Sequence, residues 1–157
     1  MRAGLFLLFC FISLTMFSQD DPPVAVCMDI PSLVLDGSGM ATIVGSDVDG
    51  GSSDDMGTIT LSVTPDTFSC ADIGPNTVTL TVTDSIGQTD TCTATVTVVD
   101  TTAPMALCQD ITIQLDGNGN ASITALDIDN GSSDNCTIAS LSASPTSFNC
   151  SNLGANS

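Results

Sequence analysis

The segment Asp47-Val48-Asp49-Gly50-Gly51-Ser52-Ser53-Asp54-Asp55 returns eighty residues later as Asp127-Ile128-Asp129-Asn130-Gly131-Ser132-Ser133-Asp134-Asn135. The recurrence extends far beyond this loop. Cys27 is matched by Cys108, Asp29 by Asp110, Pro65 by Pro145, Phe68 by Phe148 and Cys70 by Cys150. The offset slips from 81 to 80 near Pro31, so one copy carries a single extra residue there. Self-similarity at a fixed period is the mark of a repeat architecture, in which each period is one structural unit.

Within a period the spacing is that of strands. Thr77-Val78-Thr79-Leu80-Thr81-Val82-Thr83 and Thr91-Cys92-Thr93-Ala94-Thr95-Val96-Thr97-Val98 alternate polar and apolar residues about a turn at Asp84-Ser85-Ile86-Gly87. Alternation with period two predicts half-buried strands, and β-branched Thr suits their solvated face. Ile59, Leu61 and Val63 alternate likewise until Pro65 and Asp66 break the run. Val24 to Cys27 reads as a short strand. Leu33–Asp36 and Ala41–Val44 flank Gly37-Ser38-Gly39 as a hairpin, with Asp116-Gly117-Asn118-Gly119 as its later counterpart. No stretch after the leader has helical spacing. Many short strands with frequent turns predict an all-β fold of tandem sandwich units.

Residues 1–18 read as a secretory signal peptide: Arg2 is the positive start, Leu5 to Met16 the apolar run and Ser18 the small residue before the cut. Residues 19–22 form an acidic lead-in, residues 23–102 the first repeat and residues 103–157 an incomplete second one. The sequence stops opposite Thr77, before any counterpart of the last hairpin, so the expectation is a piece of a longer array. Export implies an oxidising space in which Cys residues pair.

The charge balance excludes several functions. Eighteen acidic residues, all Asp, face Arg2 alone, and the chain lacks Lys, His, Trp and Tyr. Nucleic acid is held through Lys and Arg on phosphate, so it is not a partner. Anionic lipid is repelled equally, and no membrane insertion is expected once the leader is gone. Without His or Lys nothing activates a Ser nucleophile. A glycosidase-like carboxylate pair would lack aromatic sugar platforms, since only Phe68 and Phe148 lie beyond the leader. The reading is not an enzyme. A core of Val, Ile, Leu and Ala alone is thin, so cross-links are expected to help it.

Six cysteines follow the leader: Cys27, Cys70, Cys92, Cys108, Cys136 and Cys150. Six allow fifteen pairings. The period narrows them, because Cys136 aligns with Met56 and the first repeat therefore lacks one Cys. The expected bridges are Cys27–Cys92, tying first strand to last, and Cys136–Cys150, leaving Cys70 and Cys108 unpaired. Cys70–Cys92 is the competing pairing.

The motifs Val26-Cys27-Met28-Asp29-Ile30, Ser53-Asp54-Asp55, Asn76-Thr77-Val78-Thr79, Thr83-Asp84 with Gly87, and Thr91-Cys92-Thr93 resemble the hyalin repeat, an immunoglobulin-like sandwich. Leu107-Cys108-Gln109-Asp110-Ile111 and Ser133-Asp134-Asn135-Cys136 resemble it again. The Thr- and Asp-rich variant looks like the tandem repeats of large surface proteins of Bacteroidetes-type bacteria. The resemblance implies an immunoglobulin-like fold and a secreted adhesin or structural protein, attached to the cell surface through further C-terminal regions. It implies further repeats and an extracellular protein or glycan as partners.

The acidic loops carry two readings. Asp47, Asp49 and Asp54, with Asp127, Asp129 and Asp134, offer carboxylates for a calcium ion, which takes six to eight oxygens. The spacing departs from the twelve-residue calcium loop because no Glu closes it. The alternative is an Asp/Gly/Ser turn whose side chains accept from nearby amides. The Asp36 and Asp116 turns read as plain hairpins.

Overall fold

The computed structural model describes residues 20–156; the leader and Gln19 lie outside the described residues. The chain folds as β-structure. Strands β1 (Ile30–Val34), β2 (Met40–Thr42), β3 (Thr60–Thr64), β4 (Thr67–Ser69), β5 (Gly74–Thr83) and β6 (Thr89–Val99) make up the first copy. The second has β7 (Asn120–Ser122), the single turn α1 (Ala125–Ile128) and β8 (Ser147–Asn149).

The alternating Thr hairpin is the backbone of the fold. β5 and β6 pair antiparallel over ten positions, from Gly74↔Val98 to Thr83↔Thr89. Their register sets Thr79 opposite Thr93 and Thr81 opposite Thr91 on one face, with Val78 opposite Ala94 on the other. β3 joins β5 antiparallel and β1 joins β6 parallel, giving the order β1-β6-β5-β3. β2 and β4 form a separate pair. One apolar cluster unites the inward residues of the large sheet (Val63, Val78, Leu80, Val82, Ala94, Val96, Val98) with Leu35, Ile43, Val48 and Phe68.

Three local expectations are corrected. Val24–Cys27 makes only isolated bridges, Val24↔Ser53 and Cys27↔Asp49, against the acidic loop. The strands on either side of Gly37-Ser38-Gly39 do not pair with each other. β1 belongs to the large sheet and β2 to the small one, so that turn carries the chain between sheets. Leu33 and Ile43, on the two arms, both pack into the one apolar cluster, and that burial outweighs the local hairpin signal. Finally, α1 is helical despite lacking helical spacing. A Thr-x-x-Asp sequence suffices for one turn, because Asp127 accepts from both the amide and the hydroxyl of Thr124, at 2.7 and 2.8 Å.

The second copy repeats the small pair. β7 meets β8 in the register Asn120↔Asn149, Ala121↔Phe148, Ser122↔Ser147, matching Met40↔Ser69, Ala41↔Phe68, Thr42↔Thr67. Bridges Met105↔Ser133 and Cys108↔Asp129 match those of the first copy. Leu35, Ile43, Val48 and Phe68 are buried beneath the large sheet. Their counterparts Leu115, Ile123, Ile128 and Phe148 instead line an open groove of about 730 Å³.

Candidate functional site

The acidic loop divides its carboxylates among different tasks. Asp47 folds back to accept from the Val44 amide at 2.8 Å and closes a 3₁₀ turn. Asp49 accepts from the Ser52 amide at 2.9 Å. The Ser52 hydroxyl, then the Ser52 amide, hold the Asp49 carboxyl below its ordinary range. Asp54 accepts from the Met56 amide at 3.3 Å. The later loop follows suit: Asp127 on Thr124, Asp129 on the Ser132 amide at 3.1 Å, and Asp134 on the Cys136 amide at 3.3 Å. Such bonds are those of Asx-type turns. The six residues are not brought together as ligands. Of them only Asp54 joins a convergent cluster.

That cluster is Asp20, Asp54 and Asp55, whose carboxylate oxygens lie within 4.8 Å of one another. Asp20 comes from the lead-in and is tied down by the Gln88 amide group, which donates to its carbonyl at 3.1 Å. Asp84 stands at the base of the β5–β6 turn and is only 6% exposed. Its Oδ1 accepts from the Ile86 and Gln88 amides at 2.9 and 2.8 Å, while its Oδ2 has no partner. Asp20 Oδ1 and Asp54 Oδ1 are likewise buried and unpartnered. Burial, then the charges of Asp54, Asp84 and Asp55, push the Asp20 carboxyl above its ordinary value. Anionic oxygens crowded together without a counter-charge favour a proton or a hard cation, and calcium takes such carboxylates. Sequence reading missed Asp20, Asp55 and Asp84. They come from separate loops, and the only local signal was the paired Asp54-Asp55.

Among the described residues two disulfides are present. Cys27–Cys92 joins the segment before β1 to β6, with Cα atoms 5.8 Å apart. The second corrects the expected Cys136–Cys150 bridge: Cys136 is bonded to Cys70, Cα to Cα 5.4 Å, across the two copies. Cys70 is therefore paired, while Cys108 and Cys150 are free and exposed. The reason is where the second acidic loop points. Asn135 Nδ2 donates to the Asp36 carbonyl at 3.0 Å, which brings the neighbouring Cys136 to the first copy's Cys70. Cys150 instead follows β8 and sits beside Gly119, its Sγ 3.8 Å from that carbonyl oxygen. A bridge demands close Cα atoms, and this loop offers Cys136 to the other copy.

Among the described residues no helix is long and apolar enough to cross a membrane. No protein-family model, curated protein or solved structure matches this chain.

Proposed function

We propose that the chain is a non-catalytic spacer of a secreted or cell-surface adhesin or structural protein, built from immunoglobulin-like units of the hyalin-repeat kind. The observation that carries this reading is the Cys70–Cys136 bond, which joins one copy covalently to the next. A spacer that holds a distal binding region away from a surface gains from a joint that cannot hinge apart. Two disulfides suit an oxidising, extracellular compartment. Catalysis has little to draw on, since beyond Arg2 there is no basic side chain. Pulling single molecules by their ends tests the reading. The overlapping Cys27–Cys92 and Cys70–Cys136 bridges leave only the stretch from Cys70 to Cys92 extensible between Cys27 and Cys136, and so withhold about 290 Å at roughly 3.3 Å per residue. A load-bearing spacer gains that length only after reduction. Saturable binding of the chain to a glycan or protein array, abolished by surface substitutions in these units, would replace the spacer with a binding module.

A second reading is favoured by the Asp20, Asp54 and Asp55 cluster beside Asp84: calcium rigidifies the first unit by clamping the lead-in to the β5–β6 turn. Metal that binds only the folded state raises stability, by about 1.4 kcal/mol at ten times its dissociation constant. The expected outcome is a higher Tm in calcium than in EDTA, absent in Asp54→Asn and absent with magnesium. Equal melts for the unsubstituted protein in calcium and EDTA would leave the cluster a repulsive surface feature.

A further inference from the structure

The first copy presents a small face that the second copy occupies. Its floor is the turn from Asp36 to Met40. Asp36 Oδ1 accepts from the amides of Ser38 and Met40 at 2.8 and 3.0 Å, and its carbonyl accepts from the Gly39 amide at 2.9 Å. Gly39 adopts φ 75° and is buried. A Cβ there would stand 2.6 Å from Cys70 Sγ and 2.8 Å from the Asn135 carbonyl oxygen, so only glycine leaves room for the incoming loop. The occupant makes two attachments: Asn135 Nδ2 on the Asp36 carbonyl and the Cys136 sulfur on Cys70.

The second copy builds the same face. Asp116 Oδ1 accepts from the Asn118 and Asn120 amides, each at 2.9 Å. The Asp116 carbonyl accepts from the Gly119 amide at 2.9 Å, and Gly119 has φ 81°. A Cβ on Gly119 would stand 2.8 Å from Cys150 Sγ. Cys150 Sγ lies 3.8 Å from the Gly119 carbonyl oxygen, against 3.7 Å for Cys70 and Gly39. Here, however, the sulfur is an exposed thiol and Gly119 is only half-buried.

We propose that the Asp116–Gly119 turn with Cys150 is an acceptor face for the Asp-Asn-Cys loop of another repeat, which it holds by an amide-to-carbonyl hydrogen bond and a disulfide. The partner chemistry is narrow. It needs a side-chain amide to donate to the Asp116 carbonyl and a thiol one residue later. The loop Asp54-Asp55-Met56 of the first copy supplies neither, because a carboxylate there would oppose the carbonyl oxygen and Met cannot bond. Linkage is thus directional, from acceptor face to donor loop, as in head-to-tail assembly. The inference rests on the array reading for the source of such a loop, while the chemistry of the face stands independently of it. Bond formation requires a disulfide oxidant of the glutathione class. The Cys150 thiolate attacks one sulfur and expels a glutathione thiolate. The partner's thiolate then attacks Cys150 sulfur and expels the second. Two thiols lose two protons and two electrons, and one oxidised glutathione becomes two thiols.

The test uses the full chain with a synthetic peptide of residues 130–139 in a glutathione redox buffer. Acid quench, peptic digestion and mass spectrometry then count peptide attached at Cys150 and at Cys108, the other exposed thiol among the described residues. Capture at Cys150 should exceed that at Cys108 by about tenfold, the size of one well-made hydrogen bond. The same peptide carrying Asn135→Ala should lose most of that preference. Equal capture at the two cysteines, or a preference that survives Asn135→Ala, would overturn the proposal. Neither result bears on the mechanical experiment, so the two readings fail separately.

Discussion

Among the described residues a carboxylate has no basic side chain to meet, the one basic residue of the chain being Arg2. It is satisfied by backbone amides and hydroxyls or it is left unsatisfied. Asp36, Asp49, Asp116 and Asp129 belong to the first class, and hydrogen bonds hold each carboxyl below the ordinary 3.8. Their folded forms bind a proton less readily than the unfolded chain, so they add stability above about that pH and lose it as pH falls through their lowered values. Asp20 has the opposite sign. Burial and its acidic neighbours raise it, so stability is lost as pH rises from 3.8 through the raised value. Asp20→Asn should therefore melt higher than the unsubstituted protein at neutral pH in EDTA, and its advantage should vanish below pH 4. Under the calcium reading the order reverses in millimolar calcium, since a ligand is gone. A thermal melt series across pH in both buffers checks the sign.

At the scale of elements, the β5–β6 hairpin carries the first unit. Its length comes from uninterrupted alternation, and its turn from Asp84, which accepts two amides two and four residues on, with Gly87 at φ 94°. Leu80 is fully buried at the middle of the large sheet. Leu80→Ala should cost about 2–5 kcal/mol in a urea titration. Leu153→Ala, at a residue 77% exposed, should stay within about 0.5 kcal/mol. A small effect at Leu80 would mean that the hairpin does not carry the core.

The whole molecule is held by its two cross-links. Removing Cys27–Cys92 by the double change Cys27→Ser and Cys92→Ser opens a 65-residue closure, which by loop entropy is worth about 4 kcal/mol; chemical denaturation measures it. Cys70–Cys136 makes a prediction about accessibility. Alkylation of the folded protein should mark Cys108 and Cys150 and spare Cys70. Labelling at Cys70 with protection at Cys150 would restore a bridge inside the second copy. Cys136→Ser should free Cys70 and loosen the joint, seen as an added alkylation site and a larger radius of gyration in small-angle scattering.

What the amino-acid order determined by itself is what depends on neighbours along the chain. The Thr and Val alternation marks β5 and β6, Pro65 separates β3 from β4, and the Asp116 turn recurs because its Asp and two Gly stand at the same spacing as in the Asp36 turn. A period tells which residues are equivalent. It does not tell whether equivalent residues meet within one unit or between successive units, and that is why the period points Cys136 to Cys150 although it bonds Cys70. Only the tertiary structure decided that question, by aiming Asn135 at the Asp36 carbonyl. It likewise decided that β1 lies parallel to β6 and that Asp54 leaves Asp47 and Asp49 to join Asp20 and Asp55. Such contacts join segments far apart in the chain, and their energy comes from burial and charge in three dimensions, which no local spacing records.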